Sequence, residues 1–245
     1  MSLILVLAPS FLLGASPEVQ KEMEAPSLLP QLTVLAGLGV LPFAIMLLTS
    51  YTKIVIVLSL LRNALGVQQA PPNQVLNGIA LLMTTYVMFP TGIQMYEAAT
   101  AHSTEPAPIT LFSNTSAGYL IDMTQKAKEP LREFLIRNCS PKHISSFYQL
   151  AQRSFPEGTR EKIEPKDFIV VMPAFITSQL KGAFEIGVLI YLPFFVIDLV
   201  TSNILLAMGM MMLSPLTISL PIKLLLIVMI DGWTLIVQGL VMTFR

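Results

Sequence analysis

The chain has 245 residues, of which 53% are hydrophobic and only 12% charged, with 15 basic and 15 acidic side chains in balance. A soluble domain carries roughly a quarter charged residues, so this share leaves too little charge to cover a water-facing surface. The zero net charge offers nothing to nucleic acid and Gly-rich phosphate loops are absent. Cys139 has no second cysteine to pair with, and His102 and His143 sit in no Cys/His cluster, which argues against a zinc or haem site.

Residues 1–24 form a first unit. Leu3 to Leu13 is an apolar run of signal-segment length ending at Gly14-Ala15-Ser16. It lacks a preceding Lys or Arg, and Leu13 is bulky for its place before Ala15, so cleavage and retention read equally well. Glu18, Lys21, Glu22 and Glu24 make a short polar linker.

Four apolar stretches long enough to span a bilayer follow, in two pairs. Ala25 to Thr52 and Val75 to Tyr96 carry no charge and place a membrane hairpin over 25–96. Ile186 to Met212 carries only Asp198, and Leu224 to Phe244 only Asp231, placing a second hairpin within 168–245. A span needs about 20 mostly apolar residues. Pro42, Pro90, Pro173, Pro193, Pro215 and Pro221 lie in or beside these stretches. Proline removes a backbone donor and kinks a helix, and in lipid the freed carbonyls need neighbouring helices. Kinked helices packed on protein are the expectation, with Pro215 and Pro221 fitting best as helix ends. Lys53 and Arg62 flank the first short link and Lys223 lies in the last, which by the positive-inside rule puts both links in the cytoplasm. The N-terminus, residues 97–167 and Arg245 are then outside.

Eighteen of the 30 charged residues fall between Glu97 and Asp167, marking a polar insert. Residues 101–116 are rich in Ser, Thr and Pro and read as irregular. Leu131, Phe134 and Leu135 share a helical face. Ser140-Pro141 resembles an N-cap with proline in the first turn, and Ile144, Phe147, Tyr148 and Ala151 follow at helical spacing. Glu157-Gly158 marks a turn. The insert reads as a small helical domain in the periplasm.

Asp198 and Asp231 fall in the middle of apolar stretches. Each costs about 3 kcal/mol at the bilayer centre unless paired or hydrated. Asp198, Thr201 and Ser202 share a helical face, so that face should meet water or protein. An ion relay competes with an assembly charge paired to Lys53, Lys181 or Lys223. The assembly charge is favoured, because no histidine or further carboxylate continues a relay. Lys181 and Glu185 are four residues apart and can pair. Met208-Gly209-Met210-Met211-Met212 is a second feature. Adjacent helical residues lie about 100° apart, so three consecutive methionines share one edge only at a helix end or turn. In a ring of copies that edge would form a compliant, dry collar. On the residues alone, packing or lipid contact is the simpler account. Arg62-Asn63-Ala64-Leu65-Gly66 suits a helix end, Pro71-Pro72-Asn73 a reversal, and Asp231-Gly232-Trp233 a polar corner. No nucleophile and base stand at sensible spacing, which gives no catalytic residue.

These motifs carry a family resemblance. Leu60-Leu61-Arg62-Asn63-Ala64-Leu65-Gly66 with Pro71-Pro72-Asn73 resembles the export-gate family called FliP in flagella and SctR in injectisomes. So do Phe184 through Ile190-Tyr191-Leu192-Pro193-Phe194 and Ile197-Asp198-Leu199-Val200 to Met212, then Ser214-Pro215, Ser219-Leu220-Pro221 and Asp231-Gly232-Trp233. Pro130-Leu131-Arg132-Glu133-Phe134 matches the insert more loosely. The resemblance covers roughly residues 30–245. Ile190-Tyr191-Leu192-Pro193 with Ser202-Asn203-Ile204-Leu205-Leu206 is similar to the injectisome branch, and the signal-like start to the flagellar one.

The resemblance implies an all-α, non-enzymatic membrane protein without cofactor or metal. It implies a pentamer-like helical ring of copies, joined by FliQ/SctS-like and FliR/SctT-like subunits and serving with FlhB/SctU-like and FlhA/SctV-like components. Such a gate sits in the bacterial inner membrane, largely above the lipid plane, and admits unfolded export substrates. It also implies that Met210, Met211 and Met212, with Met208 adjacent, form the gasket of the closed pore. It leaves Lys53, Arg62, Lys181, Glu185, Asp198, Lys223 and Asp231 as polar groups within the membrane or between subunits. The competing readings are an ion-coupled secondary transporter using Asp198 and Asp231, for which no inverted repeat is visible, and a scaffold without pore contact.

Overall fold

The computed structural model describes residues 28–67, 71–100, 114–210 and 212–244. The signal-like start, most of the Ser/Thr/Pro-rich stretch, Met211 and Arg245 lie outside them. The described residues form helices joined by short turns, with no strand among them. In chain order they are α1 (Leu28–Leu48), α2 (Tyr51–Leu65), α3 (Asn73–Thr100), α4 (Asn114–Arg137), α5 (Pro141–Ser154), α6 (Glu157–Arg160), α7 (Phe168–Ala207), α8 (Pro215–Met229) and α9 (Gly232–Met242).

Two of the four apolar stretches are broken. The first bends by 59° between α1 and α2, and the last by 64° between α8 and α9. Among the described residues only α3 and α7 are long and apolar enough to cross a membrane unaided, and up to four spans result if each bent pair counts as one. The expected link between the first two spans is largely α2 itself, and it is the centre of the fold. Ile54, Val57, Leu58, Leu61 and Leu65 recur at helical spacing and are buried. One side of α2 packs on Leu76, Ala80 and Met83 of α3, Ala183 of α7 and Leu240 of α9. Its C-terminal end packs on Phe194 of α7 and Ile227 of α8. Lys53 and Lys223 are therefore not loop charges: they sit in α2 and α8 and are buried. The topology rule loses two of its three charges, because a buried side chain is held by protein rather than by the cytoplasmic surface. Pro215 does open α8, but Pro221 lies inside it rather than at its end.

Gly187 of α7 lies directly against Leu60 of α2. A Cβ there would overlap Leu60 Cδ1 and lie 3.3 Å from Leu60 Cβ and Cγ. Glycine is required by this approach, as in membrane helix pairs generally.

Helices α4 and α5 lie against the first half of α7. Phe134, Leu135 and Cys139 pack with Val171, Ala174 and Phe175, and Val87 and Met88 from the middle of α3 join them. The Phe134 and Phe175 rings stand 6.1 Å apart and tilted. Ala151 packs with Ile163 and Val170. Two hydrogen bonds fasten the α4–α5 turn: the Ser140 N–H donates to Ser178 Oγ at 2.9 Å, and Gln179 Nε2 donates to the Asn138 carbonyl at 2.8 Å. Helix α5 starts at Pro141 as expected, yet the Ser140 side chain makes no capping bond. Burial pushes the Cys139 thiol up to about 11, against the opposing hydrogen bond to Ser178.

Helix α7 has 40 residues, about 60 Å at 1.5 Å per residue. That is roughly twice the 30 Å hydrocarbon core of a bilayer. Its first half is clothed by α4 and α5, whereas Val188, Leu189, Leu192, Val196, Leu199 and Val200 in its second half are exposed. Helix α1 exposes Leu35, Leu38, Val40, Leu41 and Phe43, which ring it on every side.

Gly187→Val should destabilise the fold by about 1–3 kcal/mol through overpacking, and Leu60→Ala in the same chain should recover part of the loss; thermal unfolding in detergent measures both. At pH 8 roughly one Cys139 in a thousand is thiolate, so alkylation of the folded chain should be slow. It should rise about tenfold per pH unit until the chain unfolds, which mass spectrometry of labelled protein reads directly.

Candidate functional site

The site is the hairpin of α7 and α8, with residues 208–210 and 212–214 at its tip. The tip follows from how α7 ends. Gly209 adopts φ 72°, its N–H donates to the Leu206 carbonyl at 3.0 Å, and the Met210 N–H donates to the Leu205 carbonyl at 3.0 Å. This is the Schellman arrangement, which favours glycine at the left-handed position and satisfies the last helical carbonyls. It turns the chain outward, so Met208, Met210, Met212 and Leu213 are exposed, Met212 completely. Ser214 and Pro215 then start α8. Met208, Met210 and Met212 thus follow a helix end, where side chains escape the roughly 100° rotation of a continuing helix.

Ten residues before Met208, Asp198 projects from α7 toward Lys223 of α8. Lys223 Nζ donates to Asp198 Oδ2 at 2.6 Å and to the Ala64 carbonyl at 3.1 Å. The Lys223 side chain is 2% exposed and that of Asp198 34%. Ala64 is in the last turn of α2, where backbone carbonyls lack helical partners and the dipole is negative. One ammonium thus joins three helices, and both of its negative partners are protein. Thr201, a turn beyond Asp198, is buried, and its hydroxyl donates to the Ile197 and Asp198 carbonyls.

The other polar residues are dispersed. Lys53 places Nζ 4.7 Å from the centre of the Phe244 ring, and its stem lies close to Gly182. Lys181 and Glu185 form an exposed pair at 3.6 Å on the surface of α7, away from Asp198's partner. Arg62 Nη1 donates to Asn73 Oδ1 and, at 3.4 Å, to the Pro71 carbonyl, clasping the end of α2 to the start of α3. Asp231 marks the break within the α8–α9 pair. It stands exposed at the α8–α9 bend with φ 49°, and its Oδ1 accepts from Thr234 Oγ1 at 2.9 Å. Aspartate tolerates the left-handed region better than most residues. Among the described residues no group of His, Cys, Asp and Glu could hold a metal ion.

Sequence reading missed the Ala64 carbonyl and the packing role of Gly66. A backbone acceptor has no residue signature. Gly66 was legible as a helix stop, and its φ is 76°. The further fact that a Cβ there would sit 3.1 Å from Leu216 Cδ1 and 3.9 Å from Lys223 Nζ depends on packing.

Apolar helices with uncovered faces, a buried ion pair and a greasy hairpin tip define an all-α membrane protein. Comparison with known proteins narrows this class. The model of the FliP family matches residues 34–240. The chain is 44% identical to "Virulence protein YscR" of Salmonella typhimurium over 86% of its own length and 94% of that protein. It is 43% identical to "Yop proteins translocation protein R" of Yersinia pestis over 91% and 99%, and 42% identical to "Flagellar biosynthetic protein FliP" of Pectobacterium carotovorum over 87% and 77%. The chain belongs to the FliP family.

Replacing Lys223 by Met or Asp198 by Asn alone strands one charge and should destabilise the folded chain by about 3 kcal/mol, the low end for a buried pair because Asp198 is partly open. The double replacement should recover most of that loss. Denaturant titration of the detergent-solubilised protein tests the difference.

Proposed function

We propose that this chain is a pore-forming subunit of a type III protein-export gate in the bacterial inner membrane, a passive conduit for unfolded substrates. The carrying observation is the exposed methionine corner at the tip of a hairpin held by a buried ion pair. In one copy that corner covers nothing. In a ring of copies such corners converge, and flexible apolar side chains close the hole against water and ions while yielding to a passing polypeptide.

The uncovered faces of α1 and α7 support assembly in the same way, since only 17% of the apolar stretch of α7 is buried within the chain. Sister copies, FliQ/SctS-like and FliR/SctT-like subunits and lipid would supply the cover. Charged helix α4 packing beside the middle of α3 supports a seat largely above the lipid plane, because a helix with Lys126, Lys128, Glu129, Arg132 and Glu133 is costly to immerse. The insert then faces the periplasm. FlhB/SctU-like and FlhA/SctV-like components would deliver substrates and energy. The named virulence relatives are covered over nearly their whole length, which favours the injectisome branch.

A transporter coupled through Asp198 and Asp231 draws no support from the geometry, since Asp198 is held by Lys223 and Asp231 by Thr234. Asp198 serves packing.

Replacing Met210, Met211 and Met212 together by Ala should leave the assembled complex at its native mass and raise small-ion leak across vesicles. An assembled variant that stays tight would remove the gasket role. A native mass of one or two chains would remove the gate itself.

A further inference from the structure

We infer that the α2–α3 corner, acting through Lys223, sets the position of the methionine loop, with Gly66, Asp198 and Lys223 as positioning residues. This rests on the reading of that loop as the pore constriction. The corner and the loop are far apart in sequence and share no motif, yet three contacts tie them.

The first tie is the Ala64 carbonyl at the end of α2, held by Lys223 Nζ at 3.1 Å. The second is Asp198 of α7, held by the same ammonium at 2.6 Å. The third is steric. Gly66, left-handed at φ 76°, leaves room in which Leu216 Cδ1 would lie only 3.1 Å from an added Cβ. Leu216 is the second residue of α8, four positions beyond Met212. The corner is itself fastened to α3 through Arg62, Asn73 and Pro71.

Both arms of the hairpin are therefore pinned to one fixed point, and the tip extends from it. Asp198 lies about 15 Å before Met208 along α7, and Lys223 about 12 Å beyond Pro215 along α8. Beyond these ties the described residues of the tip are open: Met208, Met210, Met212 and Leu213 are all exposed. A small rotation at the pin becomes a larger displacement at the methionines. Replacing charge by apolar volume can restore the stability of such a site while changing its geometry. Stability and closure should then part company.

The test uses the assembled gate, purified with its partner subunits and reconstituted in lipid vesicles, with native mass and small-ion leak read on each variant. The Asp198→Asn/Lys223→Met pair should assemble and still leak several-fold above the unchanged gate. Gly66→Ala, which keeps both charges but strains the left-handed end of α2 and presses on Leu216 beside Lys223, should assemble and leak as well. Asp198→Glu, which keeps the charge, should leak less than the neutral pair. A purely structural tie predicts that the double variant recovers tightness along with stability. Assembled double and Gly66→Ala variants that both stay tight, while the triple-alanine methionine gate leaks, would overturn the inference and leave the constriction standing. A tight triple-alanine gate would instead overturn the constriction on which it rests. Failure of both the double and the Gly66→Ala variants to assemble assigns the tie to folding alone and also overturns the inference.

Discussion

A buried ammonium has to be answered by protein. Lys223 is almost wholly withdrawn from solvent, and an unpaired charge in such a place would cost several kcal/mol. Its two acceptors come from α7 and from the end of α2, so satisfying one group fixes the mutual placement of three helices. The rest of the arrangement follows from that restriction. Helix α2 becomes the central post, α7 lies along it at Gly187, and α8 closes the hairpin beside its C-terminus.

Stiffness and compliance are thereby separated along one hairpin. The pinned part contains charges with defined distances and close helix contact. The tip contains methionine, whose unbranched side chain settles into many shapes at small cost. The proposed role as a conduit would use both: a frame that keeps the hairpin in one place and a tip that adapts to what touches it. The polar residues near the tip, Asp198 and Lys223, are engaged in holding helices together.

The long helix α7 joins two environments. Its first half is covered by the polar helices α4 and α5 and its second half is bare and apolar. At about twice the thickness of a bilayer core, it cannot lie wholly within lipid. Broken segments such as α1–α2 and α8–α9 suit the same situation, because exposed backbone at a bend needs protein or water beside it.

Composition and periodicity were enough for the all-helical membrane class, and the quoted motifs carried the resemblance to the FliP family, since both rest on local chemistry read in order. Helical geometry also indicated that consecutive methionines can share one edge only at a helix end or turn, and Gly209 ends α7 beside Met208 and Met210. Where Lys53 and Lys223 belong was not legible, because a lysine in a short polar link and a lysine buried by a distant helix look alike in sequence. Asp231-Gly232-Trp233 was legible as a polar corner, but not the 64° bend that it makes. Which of three lysines answers Asp198, and that the Ala64 carbonyl shares it, was decided only in the folded chain. Those contacts join residues up to 159 positions apart, and proximity at that range is a property of packing.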